Sequence, residues 1–273
     1  MIIFYYHAFF SDTLSNTDRT NENSSVIIFY IFFGRGAMAW VRKVIEKMLN
    51  DIYLDFDYTE KVLSLLDSEI EDISEDPRTI ENSYAVRAAG ILLLKMAEMK
   101  FGTSSLDAES MSIFPEFSTT PRSQVGVNVV TTEHPTARYA IFLGCRINNW
   151  HQAFYELAHE SIHMLGPANT KEVEIATLDE GVAVKFAEDF YREYIFPATG
   201  VAIPETPLNA SQSVYFKAYQ ATNKIPDNVL SEIRAEFNNF REVKNPLFHE
   251  MTLDYLSRSE AELLCSAFDY KAY

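Results

Sequence analysis

Cysteine is nearly absent from this sequence. Only Cys145 and Cys265 occur in 273 residues, each in an apolar string. Two such residues exclude a disulfide framework and a cysteine-rich zinc module, and they read as buried thiols of a cytoplasmic protein. Glycine and proline are also sparse, at 9 and 10 residues, which excludes a repetitive or low-complexity chain. Basic residues are outnumbered, 23 against 39 acidic ones, and form no run. A net charge of −16 leaves no surface for tracking a nucleic-acid backbone. No apolar run approaches the roughly 20 residues of a membrane span. The start of the chain lacks the basic region and small-residue cleavage site of a secretory signal. What is present is apolar and aromatic side chain, 47% and 14% of the residues, enough for a sizeable core.

Hydrophobic periodicity organises the chain into an α+β, mainly α arrangement. Residues 1–37 alternate two short apolar runs with a polar stretch and read as an appended or non-native extension. An amphipathic helix that needs nothing upstream begins at Met38, with Val41, Val44, Ile45, Met48, Leu49 and Ile52 on one face. Further helical stretches over 58–73 and 81–100 complete a helical lobe spanning 38–105, ended by Gly102. Residues 103–122 read as a connecting loop. The period then changes to two over 125–132 and 138–144, a candidate antiparallel pair joined by a turn at 133–136. Helical patterns return at 149–165, 171–194, 209–222, 227–241 and 258–268.

The chemistry sits in NWHQAFYELAHESIHMLGP, which carries the pattern HExxH within a helix. A spacing of four places His159 and His163 on one face, so that two imidazoles share one metal ion. Zinc suits such a pair, because two imidazole nitrogens fill two corners of a tetrahedron and leave corners for a carboxylate and a water. Glu160, next to the first histidine, is placed to act as general base. The third ligand is expected from TLDEGVAVKFAEDF, where Glu180 is surrounded by Ala176, Thr177, Gly181, Ala183 and Ala187. Small side chains there let a second helix approach the first closely. Glu172 and Glu174 read as solvated first-turn residues, His134 and His151 as loop or surface histidines, and Asp179 as a carboxylate supporting a ligand.

These strings resemble the gluzincin metallopeptidases, in which HExxH is followed on a second helix by a zinc-binding Glu, often inside an EGxA-like string such as LDEGVA at 178–183. They are also similar to a group of bacterial proteins with LAHE..H.L.P and EEGLA..F strings. The resemblance implies a zincin-like metallopeptidase domain over 122–273, with a small antiparallel sheet and a zinc-binding helix pair. It implies hydrolysis of peptide or amide bonds by a water that Glu160 activates on Zn2+, and a peptide or protein substrate. The strand RYAIFLG would be the edge on which an extended substrate is laid. One departure stands out. Where relatives place an Asp four residues after the third ligand to orient a zinc histidine, this chain has Val184, so Asp179, Thr177 or a distant residue must serve. For the group that steadies the oxyanion, the candidates are Tyr215, Tyr219 and His249.

Two other readings use the same residues. Glu156 with His159 and Glu160 with His163 form overlapping ExxH units of the kind found in di-iron bundles, but no second helix supplies the partner unit. A non-catalytic protein, in which zinc staples helices for an interaction or regulatory role, would need the ligands and not Glu160.

Overall fold

A computed structural model describes residues 38–270 apart from 53, 55, 68–72, 80–81, 107–109, 113, 128–137, 168–173, 204–205 and 212. The extension at 1–37, the turn at 133–136, His134 and Glu172 lie outside the described residues. The chain is mainly helical with one small sheet. Helix α1 (Ala39–Asp51) buries Val41, Val44, Ile45 and Met48, with Leu49 and Ile52 half-buried beside them. It is followed by α2 (Phe56–Asp67) and α3 (Ser83–Phe101). Gly102 ends α3 at a φ of 98°, a left-handed value that disfavours a side chain, and its N–H donates to Glu98 O.

The sheet holds β1 (Glu116–Phe117), β2 (Gln124–Val127) and β3 (Tyr139–Leu143) in the order β1-β3-β2. β2 runs antiparallel to β3, with Val125 opposite Ile141, but β1 runs parallel to it, with Phe117 opposite Leu143. The sheet is therefore mixed rather than antiparallel. It also corrects the expectation that RYAIFLG is an edge. Segment 110–117, part of the stretch read as a loop, comes back along the free side of β3 through a bridge of Met111 to Tyr139 and then through β1. With both sides occupied, β3 is the central strand.

Helix α4 (Trp150–His163) follows the sheet, capped by the Asn149 side chain, which accepts from Gln152 N. Helix α5 (Thr177–Phe190) is buried at every residue from Thr177 to Ala187. It starts later than expected, because Glu174 to Ala176 run extended. A π-helical turn (Tyr191–Ile195) leads on to α6 (Phe196–Thr199). Then come α7 (Val214–Thr222), α8 (Asp227–Phe237), α9 (Leu247–Thr252) and α10 (Arg258–Cys265).

α5 is the axis of the fold, packing on α4, α7 and α10, while α4 is backed by α3 and β3. Hydrophobic side chains from α1 to α10 join one core, and the described residues belong to one compact unit. The carbonyls of Phe101 and Thr103, at and just beyond the end of α3, and of Leu165, just beyond the end of α4, accept from the buried Arg234 guanidinium of α8. No helix among the described residues is long and apolar enough to cross a membrane. Both cysteines are free; Cys265 is half-buried and Cys145 is exposed, which corrects the expectation that both are buried.

Candidate metal centre

α4 delivers His159, Glu160 and His163 to one buried locus. Their donor atoms lie within 4.8 Å of one another. The imidazoles meet edge to face with Nε2 atoms 3.2 Å apart. Glu180, in the first turn of α5, closes the group, with Oε2 3.3 Å from His159 Nε2 and Oε1 3.7 Å from His163 Nε2. Ligands at about 2.0–2.1 Å around a tetrahedral ion stand roughly 3.3–3.4 Å apart, close to the 3.2 and 3.3 Å separations here, while the 3.7 Å one, made through the other carboxylate oxygen, is longer. The donor set agrees, being two imidazole nitrogens and a carboxylate.

Two further observations bear on a cation. Glu160 Oε2 and Glu180 Oε2 are both buried without a hydrogen-bond partner, the His159 contact being an ion-pair approach that is poorly aimed for a hydrogen bond. Orphaned carboxylate oxygens are costly and call for a cation. Three buried carboxyls, Glu160, Asp179 and Glu180, also share one buried guanidinium, Arg241, so that without an ion the cluster depends on protonated imidazoles for its charge balance.

Further contacts fix these side chains. His163 Nδ1 donates to Asp179 Oδ2 over 2.9 Å, which leaves Nε2 as the nitrogen that faces Glu180 and His159. Asp179 Oδ2 is also paired with Arg241 Nε at 2.9 Å, and both partners are nearly inaccessible to solvent. Tyr270 Oη donates to Glu180 Oε1 over 2.6 Å. The role that Val184 cannot fill is thus taken by Asp179, at the other end of the same helical turn.

Burial and these neighbours set the proton affinities. Burial lifts the Glu160 carboxyl to about 7, against the opposing pull of His163 and His159. For Glu180 burial again acts upward but loses to His163, His159 and Tyr270, and the carboxyl falls to about 2. His159 is pushed down by burial, yet Glu180, Glu160 and Glu156 hold it up at about 9. Burial raises the Tyr270 phenol, and the Glu180 charge adds to the effect.

The other nominated residues divide. Tyr215 lies at the border of the site, its ring against Phe268 with centroids 4.7 Å apart, and Phe268 packs on Tyr270. Tyr219 lies on α7, and His249 lies on α9, which packs on α8 and α10. Neither makes a hydrogen bond to the site among the described residues. His151 is engaged elsewhere, its Nδ1 2.7 Å from Tyr191 Oη and its ring stacked on Trp40. Glu174 is exposed.

Comparison of the chain with protein families, with curated proteins and with solved structures gives no match. Arg241 and Tyr270 are the two residues of the centre that sequence reasoning passes over. Arg241 closes the helical pattern read over 227–241 and Tyr270 lies past the last such pattern; neither belongs to a motif, and their partners lie far back in the chain.

Proposed function

We propose that this protein is a zinc-dependent hydrolase of peptide or amide bonds, a gluzincin-like metallopeptidase with a zincin-like arrangement of α4 and α5. The observation that carries the reading is the convergence of His159 Nε2, His163 Nε2 and the Glu180 carboxylate within 3.2–3.7 Å of one another, with the unpartnered Oε2 of Glu160 beside them. His159, His163 and Glu180 would hold the metal. Bound there, zinc supplies Lewis-acid polarisation of a scissile carbonyl and of a water.

The rest is done by the chain. Glu160 takes the proton of the attacking water at Oε2 and hands it to the leaving nitrogen, a task suited to a buried carboxylate whose Oε2 has no other hydrogen-bond partner. Asp179 holds His163 in the tautomer whose Nε2 lone pair faces the ligand cluster. Arg241, paired with the same Asp179 oxygen, holds that carboxylate in place. The cluster is buried, so water enters the reaction only where the chain admits it. A zinc-stapled protein without turnover would not need Glu160, whose burial costs stability and contributes nothing to such a role.

The test is metal content by mass spectrometry on wild type, His163→Ala and Glu180→Ala, run with a peptide-library cleavage assay that includes Glu160→Gln. About one zinc per chain is expected, lost in both ligand variants. Glu160→Gln is expected to keep its zinc while cleavage falls by about 10²–10⁴-fold. Zinc without cleavage in wild type would transfer the reading to a structural or regulatory staple, and wild type without zinc would end it.

A further inference from the structure

The N-terminus of α5, which carries Asp179 and Glu180, is not free. The chain that follows α10 is laid against it. Thr177 N donates to Ser266 O over 2.8 Å, and Thr177 Oγ1 donates to the same carbonyl over 3.0 Å. Ala176 and Ala267 form an antiparallel bridge, and Phe268 N donates to Ile175 O over 2.8 Å. Residues 266–268 thus act as a short strap, paired with the extended residues that lead into the helix. Phe268 pins the strap, being only 7% exposed and packed between the rings of Tyr215 and Tyr270, 4.7 and 4.9 Å away.

The strap ends at the metal centre. Tyr270 keeps 40% of its surface in solvent but sends its hydroxyl inward to Glu180 Oε1. A glutamate carboxylate presents two equivalent oxygens and turns about its last bond. The phenol removes that freedom, because it occupies Oε1 and leaves Oε2, the oxygen nearer His159 Nε2, without a hydrogen bond. The phenol holds Glu180 with one chosen oxygen free.

We infer that Tyr270 is a positioning residue for the ligand Glu180, and that docking of the strap and binding of the metal are one linked equilibrium. This rests on the metal centre proposed above. An ordered Glu180 binds metal without first losing rotational freedom, and a metal that fixes Glu180 gives the Tyr270 hydroxyl a better-defined acceptor. Linkage makes the effect reciprocal, so whatever factor the strap contributes to metal affinity, the metal returns to strap closure. Loss of a side chain that supports a ligand typically costs 10–100-fold in metal affinity.

The experiment uses the full chain as wild type and Tyr270→Phe, which keeps the ring and removes only the hydroxyl. Each is stripped of metal, and zinc affinity is then measured by competition with a chelator of known strength. Amide hydrogen exchange at Phe268 is followed with and without zinc. The expected result is zinc binding about 10–100-fold weaker in Tyr270→Phe, a loss larger than the fall in metal-free Tm that goes with losing one hydrogen bond to a buried carboxylate. Exchange at Phe268 should slow on zinc loading in wild type and slow less in the variant. Equal zinc affinities in a zinc-binding wild type would overturn the role of Tyr270 and leave the metal centre standing. Weaker zinc binding with exchange at Phe268 indifferent to zinc would overturn the linkage. A drop in the metal-free Tm with zinc affinity unchanged would mark Tyr270 as packing alone. Failure of wild type to bind zinc would remove the metal centre itself.

Discussion

Asp179 accepts from His163 and forms an ion pair with the Arg241 guanidinium through the same oxygen, in a place that solvent hardly reaches. Such a residue is held by its partners, and each partner is held by it. Truncating one member of a buried pair leaves the other charge unsolvated, at a cost of about 3–5 kcal/mol. Arg241→Ala is therefore expected to destabilise the protein by that amount in urea denaturation and to weaken zinc binding through His163. Arg241→Lys should recover part of the stability, because it restores the charge without the planar fork. Only half of this arrangement is legible in the sequence. Two histidines four apart in a helical string predict two imidazoles on one face, and Asp179 beside the expected ligand is a natural support. Arg241 and Tyr270 reach Asp179 and Glu180 across most of the C-terminal half of the chain, and no local pattern encodes a contact that tertiary packing alone creates.

The elements that carry the site are brought together by small residues and by buried polar ties. At Gly181 a Cβ would stand 2.2 Å from Thr222 Oγ1 and 3.0 Å from Ala218 O, so α5 and α7 meet closer there than any side chain allows. Gly181→Ala is expected to cost about 1–3 kcal/mol by overpacking, even though alanine favours a helix. Adding Thr222→Ala should recover part of the loss, a non-additivity that a double-mutant cycle would measure. The small residues around Glu180 predict a close approach to the helix of His159 and His163; Gly181 instead faces α7. Glu188, two turns further along α5, accepts from Tyr155 of α4 over 3.1 Å and from Thr206. Burial outweighs those hydrogen bonds and the charge of Arg192, and holds its carboxyl above the usual range. A carboxyl raised by folding contributes its stability below the unfolded value of 4.5 and loses it as pH rises through the folded value. Glu188→Gln should then raise Tm at pH 7 and make no difference below pH 4.5, which thermal scans across that range would decide. Short elements were the least legible. β1 has two residues and exists because β3 offers an edge, and the six-residue α9 follows Pro246 with too little length for a period to show.

At the scale of the molecule, one core links the first helix to the last, and the metal centre lies where α4, α5 and the end of the chain converge. An ion held there ties together segments remote in sequence and stabilises the native state alone. With free zinc a hundredfold above its Kd, the gain is about 2.7 kcal/mol. Chelation should then lower Tm by about 5–11 °C for a chain of this size, as differential scanning fluorimetry would show. The same treatment should leave His163→Ala unmoved. A net charge of −16 leaves the surface repelling anions and free to attract cations, so the measurement belongs at fixed ionic strength.

Tyr270 follows Glu180 by 90 residues. At translation rates of roughly 5–20 residues per second, the ribosome adds the tyrosine about 5–18 s after the glutamate. For that interval every nascent chain holds both histidines and the carboxylate without the hydroxyl that steadies them. The proposed centre would therefore be assembled in two acts, the histidines and the carboxylate first and the hydroxyl that steadies Glu180 later.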